Sequence, residues 1–146
     1  MDSSDTKNVP CNKDTGEKQK TLQKWSRGLL HYVRGGGHID RWNPLFKSES
    51  PGQVFLLSIH YLHTRLKDVP ENQWEKFILS YDNMCNLCNM RAARQPLPLP
   101  KPYDELWLKI KKVIDRLHLR NHKNPKCHIE YSSEPLKLEY PDLNTM

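Results

Sequence analysis

The chain has 146 residues, 36% of them hydrophobic and 27% charged, with a mean hydropathy of −0.83. That is material for about one modest domain, and no run approaches the roughly 18 apolar residues of a membrane span. The formal net charge is +6, which favours a polyanionic partner over an acidic or apolar surface.

The first 19 or so residues are polar, lack aromatics and show no periodicity, which predicts a disordered tail over 1–20. Cys11 lies in it as a free thiol. The chain opens Met1-Asp2-Ser3-Ser4-Asp5, with no apolar signal region. Leu22, Trp25, Leu29 and Tyr32 then fall at helical spacing and predict an amphipathic helix over 21–34, ended by Gly35-Gly36-Gly37. Residues 38–46 read as a short irregular or extended segment anchored by Trp42 and Phe46.

Ser50, Pro51 and Gln53 form a strong helix start: an N-cap, a proline at the first position and the third-position glutamine of a capping box. Phe55, Ile59, Leu62 and Leu66 make one stripe, widened by Val54, Leu57 and Tyr61, so a well-buried helix is predicted over 52–67. His60 and His63 lie on it as ordinary residues. After Pro70, residues 77–81 are a short apolar, β-favouring run, with Asp82 at its C-terminal end. A second helix is expected over 83–94.

Pro96, Pro98, Pro100 and Pro102 alternate with Leu97, Leu99 and Lys101, which reads as an extended, stiff connector. Tyr103, Leu106, Trp107, Ile110, Val113 or Ile114, and Leu117 repeat every three to four residues and predict a helix over 103–113, with Asp104 and Glu105 in the first turn favoured by its dipole. Residues 113–119 either continue that helix or form a separate strand. Residues 131–146 are acidic, broken by Pro135 and Pro141, and read as an irregular tail.

Two groups of residues carry chemistry. Lys109, Lys111, Lys112, Arg116, Arg120, Lys123 and Lys126 stand against Asp115 alone, so this stretch matches the whole net charge. It is a candidate nucleic-acid-binding patch, with a solvated helix face as the alternative. The second group is a Cys/His set. The chain has four cysteines and lacks a secretory signal, so metal binding or free thiols come before disulfides, and an intracellular location follows. Cys85-x2-Cys88 and His118-x3-His122 each have ligand-pair spacing, and Cys127 follows closely. The pairs are 29 residues apart, too far for an isolated zinc finger. Any four of Cys85, Cys88, His118, His122 and Cys127 can make a closed tetrahedral zinc site that ties two parts of a larger fold together. The rival reading is a buried cysteine pair beside a basic, His-containing loop. Asp82, taken alone, reads as a helix N-cap. No nucleophile elbow or phosphate-binding loop is present.

At these residues the chain resembles the Kyakuja–Dileera–Zisupton (KDZ) transposases, over about residues 35–130. The resemblance is carried by Gly36-Gly37, by Pro44-Leu45-Phe46, by Tyr81-Asp82-Asn83-Met84-Cys85, and by His118-Leu119-Arg120-Asn121-His122 with Cys127 after it. It implies an α/β, RNase H-like fold, here a partial one. It implies a nuclear, DNA-directed role, a strand over 113–119, and Asp82 as one member of an acidic set holding Mg²⁺. Two departures matter. Residues 1–34 offer no convincing first strand with an earlier Asp, and no later helix supplies the final Glu; Glu130, Glu134 and Glu139 lie in the acidic tail. Two-metal strand cutting needs converging carboxylates. The expectation is therefore a fragment or domesticated remnant of a transposase core, inactive alone, that binds DNA or another nucleic acid and no membrane. The rival class is a non-enzymatic, zinc-stabilised module contacting nucleic acid or protein.

Overall fold

The computed structural model describes residues 26–141, a mixed α/β arrangement. The expected disordered tail over 1–20 and Cys11 lie outside these residues. Strands β1 (Ser26–Arg34) and β2 (His38–Phe46) form an antiparallel hairpin. The long helix α1 is Pro51–Leu66, and a 3₁₀ turn, Glu71–Lys76, leads into β3 (Ile78–Ser80). Helix α2 (Met84–Asn89), 3₁₀ turns at Arg91–Arg94 and Tyr103–Glu105, and α3 (Leu106–Lys109) form the crossover to β4 (Lys111–Val113). Three short helices follow: α4 (Arg116–Leu119), α5 (Pro125–Glu130) and α6 (Glu134–Glu139).

Residues 26–34 are a strand, not the C-terminal part of a helix over 21–34. The three glycines make a turn rather than a stop: Gly36 and Gly37 take φ of +90° and +81°, and the Gly37 amide donates to the Arg34 carbonyl at 3.0 Å. Leu29 and Tyr32, which suggested one helical face, lie on opposite faces of the ladder. Tyr32 is buried against α1, where its ring stacks on Tyr61 at 4.2 Å and its hydroxyl meets Ser58 Oγ at 3.1 Å. Tyr61 in turn donates to Asp40 Oδ2 at 2.9 Å. Asp40 also pairs with Arg34 and Arg65, at 3.1 and 3.3 Å, so the hairpin is fixed to α1 by rings and charge together.

Helix α1 forms as its sequence dictates. Ser50 Oγ accepts the Gln53 amide at 3.4 Å, and Pro51 fills the first position. The Gln53 side chain does not close the capping box. It instead clamps the end of β2, accepting from the Phe46 amide and donating to the Phe46 carbonyl. Val54, Phe55, Tyr61, Leu62 and Leu66 are buried in one core with Trp74, Met84, Leu87, Leu106, Trp107 and Ile114. Phe55 meets Trp107 edge to face at 5.0 Å.

Strands β3 and β4 run parallel, with Ile78, Leu79 and Ser80 opposite Lys111, Lys112 and Val113. This pairing corrects three expectations. The helix over 103–113 is one α turn preceded by a 3₁₀ turn, because Lys111–Val113 pair with β3 and the Lys111 amide donates to Phe77 O. The strand implied over 113–119 ends at Val113, and Arg116–Leu119 is helical. The proline segment is no extended spacer. It must turn back between two adjacent strands, so Leu97 is buried and its amide donates to the Asp104 carbonyl at 2.7 Å. Helix α2 likewise stops at Asn89, short of Arg94. The segment after 130 is not wholly irregular: α6 forms, and the Tyr131 carbonyl accepts the Ile114 amide at 2.8 Å.

Candidate metal centre

Asp82 lies two residues beyond the last β3–β4 pair, and Asp115 lies two residues beyond it on the other strand. The chain turns at 82–83 into α2, which buries Cys85. Asp115 caps α4, accepting the amides of Leu117 and His118 at 3.1 and 3.2 Å. After α4 the chain turns at His122, whose amide donates to Leu119 O. Asn124 then caps α5 with Pro125 in its first turn, and α5 buries Cys127.

These turns bring Cys85, His122 and Cys127 together, with one ligand atom from each within 4.8 Å of the other two. The group is able to hold a metal ion. Both thiols are buried and the imidazole is half-buried. The ring is oriented by its own backbone bond, because His122 Nε2 lies 2.8 Å from the Asp82 carbonyl. A carbonyl can only accept, so Nε2 carries the hydrogen and Nδ1 of the neutral ring keeps its lone pair. That lone pair faces Cys85 Sγ at 3.6 Å. Zn–S and Zn–N bonds of about 2.3 and 2.0–2.1 Å at a tetrahedral angle separate sulfur and nitrogen by about 3.5 Å. The same separation suits an S–H···N hydrogen bond, so the spacing of the pair fits either contact. Behind the ring, His128 Nε2 donates to the His122 carbonyl at 2.8 Å, which fixes the loop that carries the ligand.

His118 does not join this group. Its Nδ1 is 2.6 Å from Asp115 Oδ1, on the exposed side of α4. The two histidines would share a face only on a continuous helix, and α4 ends at Leu119. Cys88 stands one turn after Cys85, half-buried and outside the three-residue group. Burial pushes its thiol up, against a hydrogen bond from the Tyr131 hydroxyl. Asp115 was legible as an acidic residue, yet its role as cap and as the strand-end counterpart of Asp82 was missed. The signal was an Asp immediately before Arg116-Leu117-His118-Leu119. Burial raises the Asp115 carboxyl, but bonds from the His118 ring and from the amides outweigh it and hold the carboxyl below its usual range.

The basic stretch is largely occupied from within. Lys109 pairs with Glu71 and with Glu105, the latter at 3.2 Å. Lys111 meets Glu139 at 2.8 Å, Arg116 meets Glu134 at 3.9 Å, and Lys126 meets Glu130 at 3.3 Å. Lys112 turns inward, donating to the carbonyls of Trp107 and Ile110 at 2.6 and 2.9 Å with its ammonium over the Trp107 ring. Burial lowers its pKa. Arg120 and Lys123 remain exposed. No family model, curated protein or solved structure matches the chain, and no helix among the described residues is long and apolar enough to cross a membrane.

Proposed function

We propose that this chain is a non-enzymatic domain closed by one structural zinc ion, on a partial RNase H-like scaffold derived from a KDZ-type transposase. The supporting observation is the group Cys85, His122 and Cys127, in which the His122 tautomer is set by the Asp82 carbonyl. Thiolate and imidazole donors in a buried, pre-spaced set suit zinc better than Mg²⁺, which takes oxygen ligands. Cys88, a turn from Cys85, is the proposed fourth ligand and would complete a Cys₃His site. The ion would link α2 to the segment carrying α4 and α5, which is a structural task.

The transposase ancestry rests on the motifs and on the position of Asp82 at the end of a strand with a parallel neighbour. Catalysis is set aside on chemical grounds. Of the two strand-end carboxylates, Asp115 is engaged by two amides and the His118 ring. The test is elemental analysis of protein purified without chelator, paired with a Mg²⁺/Mn²⁺ cleavage assay on labelled DNA. One zinc per chain and no cleavage supports the proposal. Absence of zinc defeats the metal reading, and metal-dependent cleavage defeats the non-enzymatic one.

A further inference from the structure

Two of the three grouped ligands are thiols, and they come from elements far apart in sequence. Cys85 is on α2 and Cys127 on α5. The turn into α2 and the Asn124 cap of α5 place their sulfur atoms within 4.8 Å of each other. A disulfide holds its sulfurs about 2.05 Å apart. The remaining gap is below about 3 Å, a side-chain movement rather than a rearrangement of helices. Cys88 stands outside the group, and its sulfur takes a hydrogen bond from Tyr131.

The group lies at the rim of the core. Both thiols are buried, while His122 beside them is half-buried. The loop that carries His122 joins helices of only four and six residues. Local opening of such a segment costs far less than global unfolding, so it admits a reagent of nearly water size where a larger one is kept out.

We infer that this centre is a peroxide-sensitive staple, in which hydrogen peroxide joins the Cys85 and Cys127 thiolates as a disulfide and releases the zinc ion. Regulation of this kind belongs to the proposed zinc site and rests on that reading. One sulfur attacks a peroxide oxygen: the O–O bond breaks, hydroxide leaves, and a sulfenic acid remains. The second sulfur attacks the first: the S–S bond forms, the S–O bond breaks, and a second hydroxide leaves. Two solvent protons convert the hydroxides to water, so one peroxide is reduced and two thiolates are oxidised. The ion loses two thiolates, and His122 with Cys88 is too small a set to close a tetrahedral site. The disulfide joins the same two helices as the ion did, so α5 stays tied to α2 after the ion has gone.

The experiment treats the zinc-loaded full chain with stoichiometric hydrogen peroxide. Zinc release is read with a chromogenic chelator, and cysteine linkage by peptide mapping without reduction. One zinc should leave per Cys85–Cys127 disulfide, and dithiothreitol should reverse both changes. Cys88→Ser should still form the link. Hydrogen exchange across 116–139 should be as slow in the oxidised chain as in the zinc-loaded one. A zinc-loaded chain that keeps its ion under peroxide overturns the inference and leaves the zinc reading standing. So does one that links Cys85 to Cys88 or Cys11 instead, or that carries its cysteines on to sulfinic acid. Exchange across 116–139 that rises on oxidation also overturns it. A chain that holds no zinc before peroxide is added defeats the zinc reading and the inference together, so the two failures are told apart before oxidation begins.

Discussion

Zinc should raise the melting temperature of this chain, and the rise should depend on Cys85, His122 and Cys127 but not on His118. A ligand that binds only the folded state stabilises it by RT ln(1 + [L]/Kd), about 2.7 kcal/mol at a hundredfold excess over Kd. For a domain of this size that corresponds to a shift of roughly 10 °C. The fold supplies the selectivity, because the ligands come from α2 and from a loop 37 residues further on, and an unfolded chain does not hold them together. The assay is differential scanning fluorimetry with and without zinc, then with EDTA. Cys85→Ser, Cys127→Ser and His122→Ala should lose the zinc-dependent shift. A buried serine lowers baseline stability by itself, so the quantity to compare is each variant's difference with and without zinc. His118→Ala should keep the full shift, since its ring faces Asp115. Cys88→Ser should keep a reduced one. A parent chain indifferent to zinc refutes the reasoning, as does a His118→Ala variant that loses as much of the shift as His122→Ala.

Asp115→Ala should destabilise the fold by about 1 kcal/mol through loss of the α4 cap, and Asp115→Asn should recover most of that, both read by urea unfolding. Because the folded-state carboxyl is held below 3.8, its contribution should be complete above that pH and disappear as pH falls through the folded value. Tyr32→Ala should cost about 3–5 kcal/mol, as a buried aromatic truncation, and should raise hydrogen exchange in β1 and β2 more than in α3. Purified protein should not cleave labelled DNA with Mg²⁺ or Mn²⁺; cleavage that disappears in Asp82→Ala would make the chain an enzyme.

Where local signals agreed with tertiary context, the sequence was readable. Helix α1 shows its cap, its proline and its apolar stripe, and the run over 77–81 does contain a strand, β3, although it spans only Ile78–Ser80 and stops two residues before Asp82. Residues 26–34 were misleading because Leu29 and Tyr32 satisfy a helical spacing by coincidence. Their strand state is decided by the glycine turn and by the fit of Tyr32 between Tyr61 and Ser58, contacts with residues more than twenty positions away. The end of the helix near residue 110 was hidden similarly, since only pairing with β3 makes Lys111–Val113 a strand. At the site, the residue types and spacing pointed to Cys85, His122 and Cys127. They did not separate His122 from His118, because that depends on where α4 stops. The self-pairing of the basic stretch was not legible either. It arises from glutamates at 71, 105, 130, 134 and 139, all of them outside the stretch itself.

The position of the metal group bears on how the C-terminal segment stays attached. Helices α4, α5 and α6 have only four to six residues each, too short to persist unaided in water. The ion pairs of Lys111 with Glu139 and of Arg116 with Glu134 lie on exposed surface, where such pairs contribute little. The remaining anchors include Leu119 and Cys127 in the core with Tyr131 packed against it, the Ile114–Tyr131 backbone bond, the His122–Asp82 bond, and the Cys85–His122–Cys127 group. Several of these anchors involve the proposed ligands themselves, so an ion there would hold down most of the segment. Hydrogen exchange in EDTA should therefore rise across residues 116–139 while α1, enclosed by Phe55, Leu62, Trp74 and Trp107, stays protected. Uniform loss of protection across the chain would mean that the ion supports the whole core. Unchanged protection across 116–139 would mean that packing alone is sufficient and that the cysteines and His122 are no staple.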